Sequence, residues 1–244
     1  MNRNESQPSI CVIVPAFNEE ASLPGVVGDL RQHTPDARIL VIDDGSTDGT
    51  SQVAGQLNVR TIRLPFNLGI GGAVQTGLLF AQRNGFDIAV QFDGDGQHRA
   101  DQIDRILEPI LTGTADAVIG SRYLTSSAAC SHPLKKVGTT LLRLLVSLVT
   151  GQKFSDTTSG FRAYHRRTLA YLAQVYPQDY PEPEAIVDLC RAGYKVVEVA
   201  VRMRSRSTGR SSIGLRFSPY YMIKVMLATL IARVRNPFTI EEDK

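Results

Sequence analysis

Two carboxylates one residue apart, Asp93 and Asp95, stand in the stretch FDGDGQ (92–97), each followed by a glycine. They could share a divalent cation, or one could hold it directly and the other through a water. Hard carboxylate oxygens favour Mg²⁺ or Mn²⁺, and such an ion would neutralise a bound diphosphate. Gly94 and Gly96 let the backbone bend sharply and approach a ligand. The same residues also suit a polar turn capping the next helix, so the pair gains meaning only from its company.

That company is substantial. Asp43-Asp44-Gly-Ser-Thr-Asp48 could accept hydrogen bonds from a base or ribose, or form a turn in which Ser46 or Asp48 caps a helix. Asn67-Leu-Gly69-Ile-Gly-Gly has the composition of a phosphate loop at a helix N-terminus, although no Gly-Lys-Ser/Thr follows and the glycine spacing is not a dinucleotide fingerprint. Ser155-Asp156-Thr-Thr-Ser-Gly-Phe-Arg162 either lines a site or makes a capped turn. Glu182 and Glu184 lie between prolines before a helix, as dipole partners or as groups for acceptor binding and proton abstraction. Arg202, Arg204 and Arg206 alternate, so a strand would place all three on one face, either to grip phosphate or as a solvated edge. His98 is either a contact behind the acidic turn or a surface histidine, and Cys11 is expected in the core.

Positioning these groups requires strands whose ends converge. Residues 10–15 (ICVIVP), 38–42 (RILVI), 59–64, 87–92 (DIAVQF) and 117–120 read as strands, the first two apolar enough to be buried on both faces. Helices are expected at 18–33, with Glu19 and Glu20 in the first turn, and at about 49–56, 67–83, 100–112 and 184–192. The polar clusters fall at the carboxyl ends of the strands, where ligands of a parallel α/β sheet bind. The predicted class is therefore α/β, with a mostly parallel central sheet and helices on both faces.

Composition sets the outer bounds. The 244 residues, 43% hydrophobic and 21% charged, suit a globular chain with one large domain. Three cysteines without a CxxC predict a reduced, cytoplasmic protein, and no signal peptide or membrane-spanning stretch is expected. The net charge of +3 hides a gradient: residues 1–100 carry seven Lys/Arg against eleven Asp/Glu, and residues 195–235 carry nine against one. An anionic partner for the C-terminal part is expected, and phosphate or a membrane surface suits it better than nucleic acid, for which no recognition motif is present.

Seven motifs in order, VPAFNEE (14–20), VIDDGSTDGT (41–50), NLGIGGAVQTG (67–77), FDGDGQH (92–98), GSR (120–122), DTTSGFRAY (156–164) and RSRSTGRSS (204–212), resemble the family 2 glycosyltransferases of GT-A fold. The resemblance is nearest to the dolichol-phosphate mannosyltransferase-like, or polyprenyl-phosphate glycosyltransferase, branch. It implies a catalytic domain over residues 9–213, followed by an amphipathic helix and acidic tail over 214–244. It implies a nucleotide-sugar donor held by Pro15, Phe17, Asn18, Glu19, Asp44, Asn67 and Gly69, and a metal, Mg²⁺ or Mn²⁺, on Asp93, Asp95 and Gln97. Arg122 and Lys136 would face the phosphates, Arg206 would close over the donor, and Asp156 matches an acid of the DxTSGFR stretch. The acceptor would be a polyprenyl phosphate, already ionised and needing no general base. An alcohol acceptor would need one, from Asp156 or Glu184.

Three motifs depart from that pattern: Ser211-Ser212 replaces a Ser-Lys, Lys135-Lys136 replaces an arginine, and the PEPE segment is unlike the expected acids. No C-terminal pair of membrane spans is expected from these residues. In their place, Tyr220, Ile223, Leu227, Leu230 and Val234 recur at helical spacing with Lys224, Arg233 and Arg235 nearby. The expectation is a peripheral contact with the inner face of a membrane, a core helix, or a helix docked on a separate membrane protein. Competing readings are a sugar nucleotidyltransferase, which would want a basic glycine-rich loop after the first strand, and a non-catalytic nucleotide-sugar-binding subunit.

Overall fold

The structure is a computed structural model, and it describes residues 7–124, 133–179, 181–204 and 219–234. At its centre lies β1 (Ile10–Ala16), paired in parallel with β2 (Arg38–Asp43) on one side and β4 (Ile88–Gln91) on the other. With β3 (Arg60–Arg63), β5 (Ala117–Ser121), β6 (Arg162–His165) and β7 (Val196–Ala200), the described strands form one sheet of order β3-β2-β1-β4-β6-β5-β7.

Side-chain alternation explains the apolar runs. Cys11 and Ile13 join Leu40 and Ile42 in the core on one face, and Val12 and Val14 join Ile39 and Val41 on the other. Burial pushes the Cys11 thiol up to about 12, so it is packing and not a nucleophile. The second face is covered by α1 (Leu23–His33) and α4 (Ile103–Leu111), whose Leu23, Val26, Val27, Leu30 and Ile103, Ile106, Leu107, Ile110 recur every three or four residues. The first face carries α3 (Gly69–Arg83), α5 (Pro133–Thr150), α6 (Arg166–Val175), α7 (Pro181–Arg191) and α8 (Pro219–Val234); α2 (Thr50–Gln56) leans on the β2–β3 edge.

One glycine fixes how closely α3 meets the sheet. A Cβ on Gly77 would stand 2.2 Å from Ile13 Cγ2, whereas one on Gly25 of α1 would meet nothing within 4 Å. Gly77→Val is therefore expected to cost about 2–3 kcal/mol by overpacking. Gly25→Ala should gain up to about 1 kcal/mol of helix propensity. Urea denaturation reads both, as midpoint shifts of opposite sign at constant slope.

Three expectations need correction, and a strand not expected from the sequence joins the mostly parallel sheet. The first helix begins at Leu23 rather than residue 18, because Asn18 takes a left-handed φ of 55° and the Glu19 amide donates to Thr50 Oγ1 (2.8 Å). Residues 201–204 follow the end of β7 and are not a strand, so the alternating arginines share no strand face there; Arg204 instead reaches Asp29 Oδ2 at 3.0 Å. α7 starts three residues earlier than expected, at Pro181. Finally, β6 runs antiparallel to both β4 and β5, an insertion into an otherwise parallel sheet.

Candidate active site

β1 is followed outward by β2 and β3, while β4 returns on its other side, so a crevice opens between the carboxyl ends of β1 and β4. A cleft of about 400 Å³ lies there. The acidic turn is stitched to the end of β1: the Phe92 amide donates to the Ile13 carbonyl (2.9 Å) and the Gly94 amide to that of Pro15 (3.2 Å). A Cβ on Gly94 would crowd the same Pro15 oxygen at 2.9 Å, so the glycine permits the approach.

Asp93, Asp95 and Gln97 all line the cleft. Asp95 Oδ1 accepts from the Gln97 amide at 3.0 Å, which shapes the turn. Asp93 Oδ2 lies 3.0 Å from His98 Nε2, and a Cβ on Gly160 would come within 2.6 Å of the same oxygen. His98 is thus buried, not a surface residue; its ring stacks on Phe161 at 5.0 Å and meets the Phe92 ring edge-on. Held from behind by a packed imidazole, Asp93 has little rotational freedom.

The opposite wall comes from β2 and α3. The buried Asp44 carboxylate accepts from the Leu68 amide (2.7 Å) and the Gly69 amide (2.9 Å). The leading donors of α3 therefore meet a carboxylate of the protein itself, which is why the Asn67–Gly72 stretch differs from a phosphate loop. Burial raises the Asp44 pKa, and the two amides partly counter it. Asn18 does not line the cleft; its side-chain oxygen accepts from the Thr47 amide (2.9 Å) and its own amide donates to Ser46 Oγ (3.0 Å). Asp48 Oδ1 accepts from the Thr50 amide at the start of α2. Pro15, Phe17, Glu19, Asn67 and Gly69 do line it.

Arg122, at the end of β5, supplies the third wall. Asp156 receives its Nε and Nη2, each at 2.7 Å, and its backbone amide at 3.0 Å, while Nη2 also donates to Thr158 Oγ1 at 2.9 Å. Burial works against the guanidinium charge, but the Asp156 hydrogen bonds and charge outweigh it and hold the pKa above its ordinary value. Asp156 does not itself line the cleft. Its segment is anchored in turn, since Glu198 of β7 accepts from the Ser155 and Asp156 amides, both at 2.7 Å.

Glu182, not Glu184, lines the cleft, and Thr158, Ser159, Gly160 and Met203 complete it. Glu182 stands out in the sequence by its type, whereas Thr158–Gly160 sit inside a motif whose polarity is the only signal and Met203 carries none. Lys136 lies in the first turn of α5, and Arg206 is outside the described residues. Among the described lining residues, Glu19, Asp44, Asp93, Asp95 and Glu182 are acids and Arg122 is the basic one.

A crevice at the carboxyl ends of this sheet thus brings an acidic turn and a clamped arginine to one cleft. The glycosyl transferase family 2 model matches residues 11–172, and the chain belongs to that family. A UDP-N-acetylglucosamine–dolichyl-phosphate N-acetylglucosaminyltransferase of Methanococcus voltae is 36% identical over 183 residues, 68% of this chain and 72% of that protein. The polyprenol monophosphomannose synthase of Mycolicibacterium smegmatis is 32% identical over 216 residues, 83% of this chain and 80% of its own length. Among solved structures, glucosyl-3-phosphoglycerate synthase of Mycobacterium tuberculosis, in complex with Mn²⁺, UDP-glucose and phosphoglyceric acid, superposes with a TM-score of 0.69 at 20% identity, covering 93% of this chain and 80% of that one. The chain is a glycosyltransferase, and the nucleotidyltransferase and non-catalytic readings fall away.

Proposed function

We propose that this enzyme transfers a hexose from a GDP- or UDP-sugar to a polyprenyl phosphate, inverting the anomeric carbon and requiring Mg²⁺ or Mn²⁺. The observation that carries the reading is the imbalance of the cleft, five carboxylates against one guanidinium among the described lining residues. A diphosphate entering such a site needs a cation to offset the repulsion. The donor set fits: Asp93, Asp95 and Gln97 offer hard oxygens on one turn. Among the described residues no three His, Cys, Asp or Glu side chains cluster as a fuller ligand set. That suits an ion completing its shell with water and substrate phosphates. When bound, the ion stabilises negative charge developing on the departing nucleoside diphosphate.

The protein's own groups account for the rest. Pro15, Phe17 and Glu19 contact the nucleoside, Asn18 braces the loop beside it, and Asp44 fixes the Asn67–Gly69 turn. An acceptor phosphate oxygen, ionised at neutral pH, forms the new bond to the anomeric carbon from the face opposite the diphosphate. The old carbon–oxygen bond breaks, and its electron pair leaves with the diphosphate. Arg122 faces the phosphates, with Lys136 and Arg206 assigned the same task, and Asp156 keeps the Arg122 fork aimed. Glu182 is placed to accept hydrogen bonds from sugar hydroxyls. Glu184, outside the cleft lining, is not needed as a base for a phosphate acceptor. The lipid acceptor calls for a peripheral position at the inner face of a membrane.

The two relatives named above support this reading: the name of one carries a UDP-sugar and dolichyl phosphate, and that of the other a polyprenol monophosphomannose. Calorimetry with GDP, UDP, CDP and dTDP, with and without Mn²⁺, tests it. One nucleotide is expected to bind, at least about tenfold more tightly with Mn²⁺. Binding indifferent to metal for all four would overturn the metal-dependent site.

A further inference from the structure

We propose that Arg162, which lies behind the cleft and is not among its lining residues, is a positioning residue for sugar transfer: it fixes residues 157–160 as the spacer that sets the gap between Arg122 and Asp93. The inference rests on the reading above that Asp93 holds the metal and Arg122 faces the phosphates.

The antiparallel course of β6 puts this residue where it can act. Because β6 runs against its neighbours, its first residue lies at the carboxyl ends of β4 and β5, level with Gln91 on one side and Ile119 on the other. Asp93 follows Gln91 by two residues, and Arg122 follows Ile119 by three. Arg162 therefore sits between the strand that delivers the acidic turn and the strand that delivers Arg122.

The residue is 1% exposed. Its Nε donates to the Ser159 carbonyl at 2.8 Å and its Nη2 to the Thr157 carbonyl at 3.3 Å. Among the described residues it forms no ion pair with a carboxylate. Burying a cation without a paired anion is a poor way to stabilise a fold, since an apolar side chain of similar volume carries no such desolvation cost. What an apolar side chain cannot do is hold two carbonyls in a fixed arrangement, as the planar fork does. Thr157 and Ser159 are buried, so bulk water does not compete for those carbonyls.

The two carbonyls bracket Thr158, and Gly160 follows; Thr158, Ser159 and Gly160 line the cleft. Thr158 Oγ1 receives Arg122 Nη2 at 2.9 Å. Gly160 abuts the acidic turn, where a Cβ would stand 2.6 Å from Asp93 Oδ2 and 2.9 Å from Oδ1. Ser159 Oγ donates to the Gly120 carbonyl at 2.7 Å and so ties the spacer to β5. The spacer meets Arg122 at one residue and Asp93 at another, and its shape sets how the two face one diphosphate.

Thermal melting, transfer kinetics and calorimetry with Mn²⁺ and whichever of GDP, UDP, CDP and dTDP binds the parent test the assignment on Arg162→Met and Arg162→Lys. The methionine relieves the desolvation of a buried charge but strands two carbonyls, opposed effects expected to keep the melting temperature within about 5 °C of the parent. The turnover number should nevertheless fall at least about tenfold, the scale of a small misplacement of charged groups, and the nucleotide should bind at least about threefold more weakly. Lysine keeps the charge without the fork and should recover only part of either loss. On an Arg122→Ala background, Arg162→Met should cost at least about threefold less turnover than it does on the parent, because the guanidinium it helps to place is gone.

An arginine with a merely structural role would lower the melting temperature and leave the turnover of the folded chain alone; that result overturns the inference, as does a loss that is fully additive with Arg122→Ala. Should Arg162→Met fail to fold, Arg162→Lys carries the test, and a turnover equal to the parent's overturns the inference. The functional reading fails in the parent itself, as a chain that transfers no sugar or binds every nucleotide indifferently to Mn²⁺, and it takes this inference with it. A parent that transfers sugar with Mn²⁺ and is matched by Arg162→Met keeps that reading and overturns this one alone.

Discussion

Asp95→Ala is expected to lower sugar transfer by about 10²–10³-fold, the loss typical when charge stabilisation at a phosphoryl leaving group is removed. The side chain stands on a turn whose backbone is already tied to β1 through the Phe92 and Gly94 amides, so the turn survives its removal. The melting temperature should consequently stay near that of the parent, which separates a chemical loss from a folding one. Calorimetry on the variant should show nucleoside diphosphate binding that no longer improves with Mn²⁺. Asp95→Asn retains one oxygen able to shape the turn through the Gln97 amide, and it should fall between the two, with partial recovery at high Mn²⁺. Asp93→Asn is a less clean test, because its Oδ2 also meets His98 and the change disturbs the packed ring behind it. A variant at Asp95 that keeps both its rate and its metal dependence would remove the acidic turn from the mechanism.

Why that turn could be found from sequence, and other parts of the site could not, has a physical explanation. β4, like β1 and β2, is buried on both faces, so these strands are largely apolar, and the polar break at the end of each is unmistakable. The acidic residues after β1 misled for a related reason. Glu19 and Glu20 have the composition of a helix first turn, yet the Glu20 carboxylate accepts from the Gly49 amide at 2.7 Å, 29 residues away, and the helix waits until Leu23. β6 was invisible because four residues, RAYH, carry no period of their own. They become a strand only by pairing with 88–91 on one side and 117–119 on the other. The choice between Glu182 and Glu184 depends on how α7 docks against the rest of the chain, which two acids in a proline-rich stretch do not encode locally. Asp44 is the instructive case: its place at a strand end was legible, but its partner amides at Leu68 and Gly69 lie across a helix and a strand.

Asp156→Asn is expected to impair both stability and turnover although the residue never reaches the cleft. Its carboxylate is fully buried and takes both prongs of the Arg122 fork together with that residue's amide. Breaking a buried ion pair typically costs about 3–5 kcal/mol, but the Arg122 side chain is 31% exposed and water recovers part of that, so about 2–3 kcal/mol is expected. For a chain of this size that is a fall in melting temperature of about 5–10 °C. The catalytic effect follows from aim rather than charge. The guanidinium stays cationic whatever its partner, but without the carboxylate it is no longer held between Asp156 and Thr158. Arg122→Ala should itself slow transfer by about 10²-fold, and Arg122→Lys should recover only part, because an ammonium cannot engage Asp156 with two parallel donors. The decisive comparison is the double variant. If Asp156 acts only through Arg122, adding Asp156→Asn to Arg122→Ala changes the turnover number no further, and the two single effects fail to add. Should Asp156→Asn cost as much activity on the Arg122→Ala background as on the parent, Asp156 touches the reaction by another route and its assignment as the holder of Arg122 is wrong.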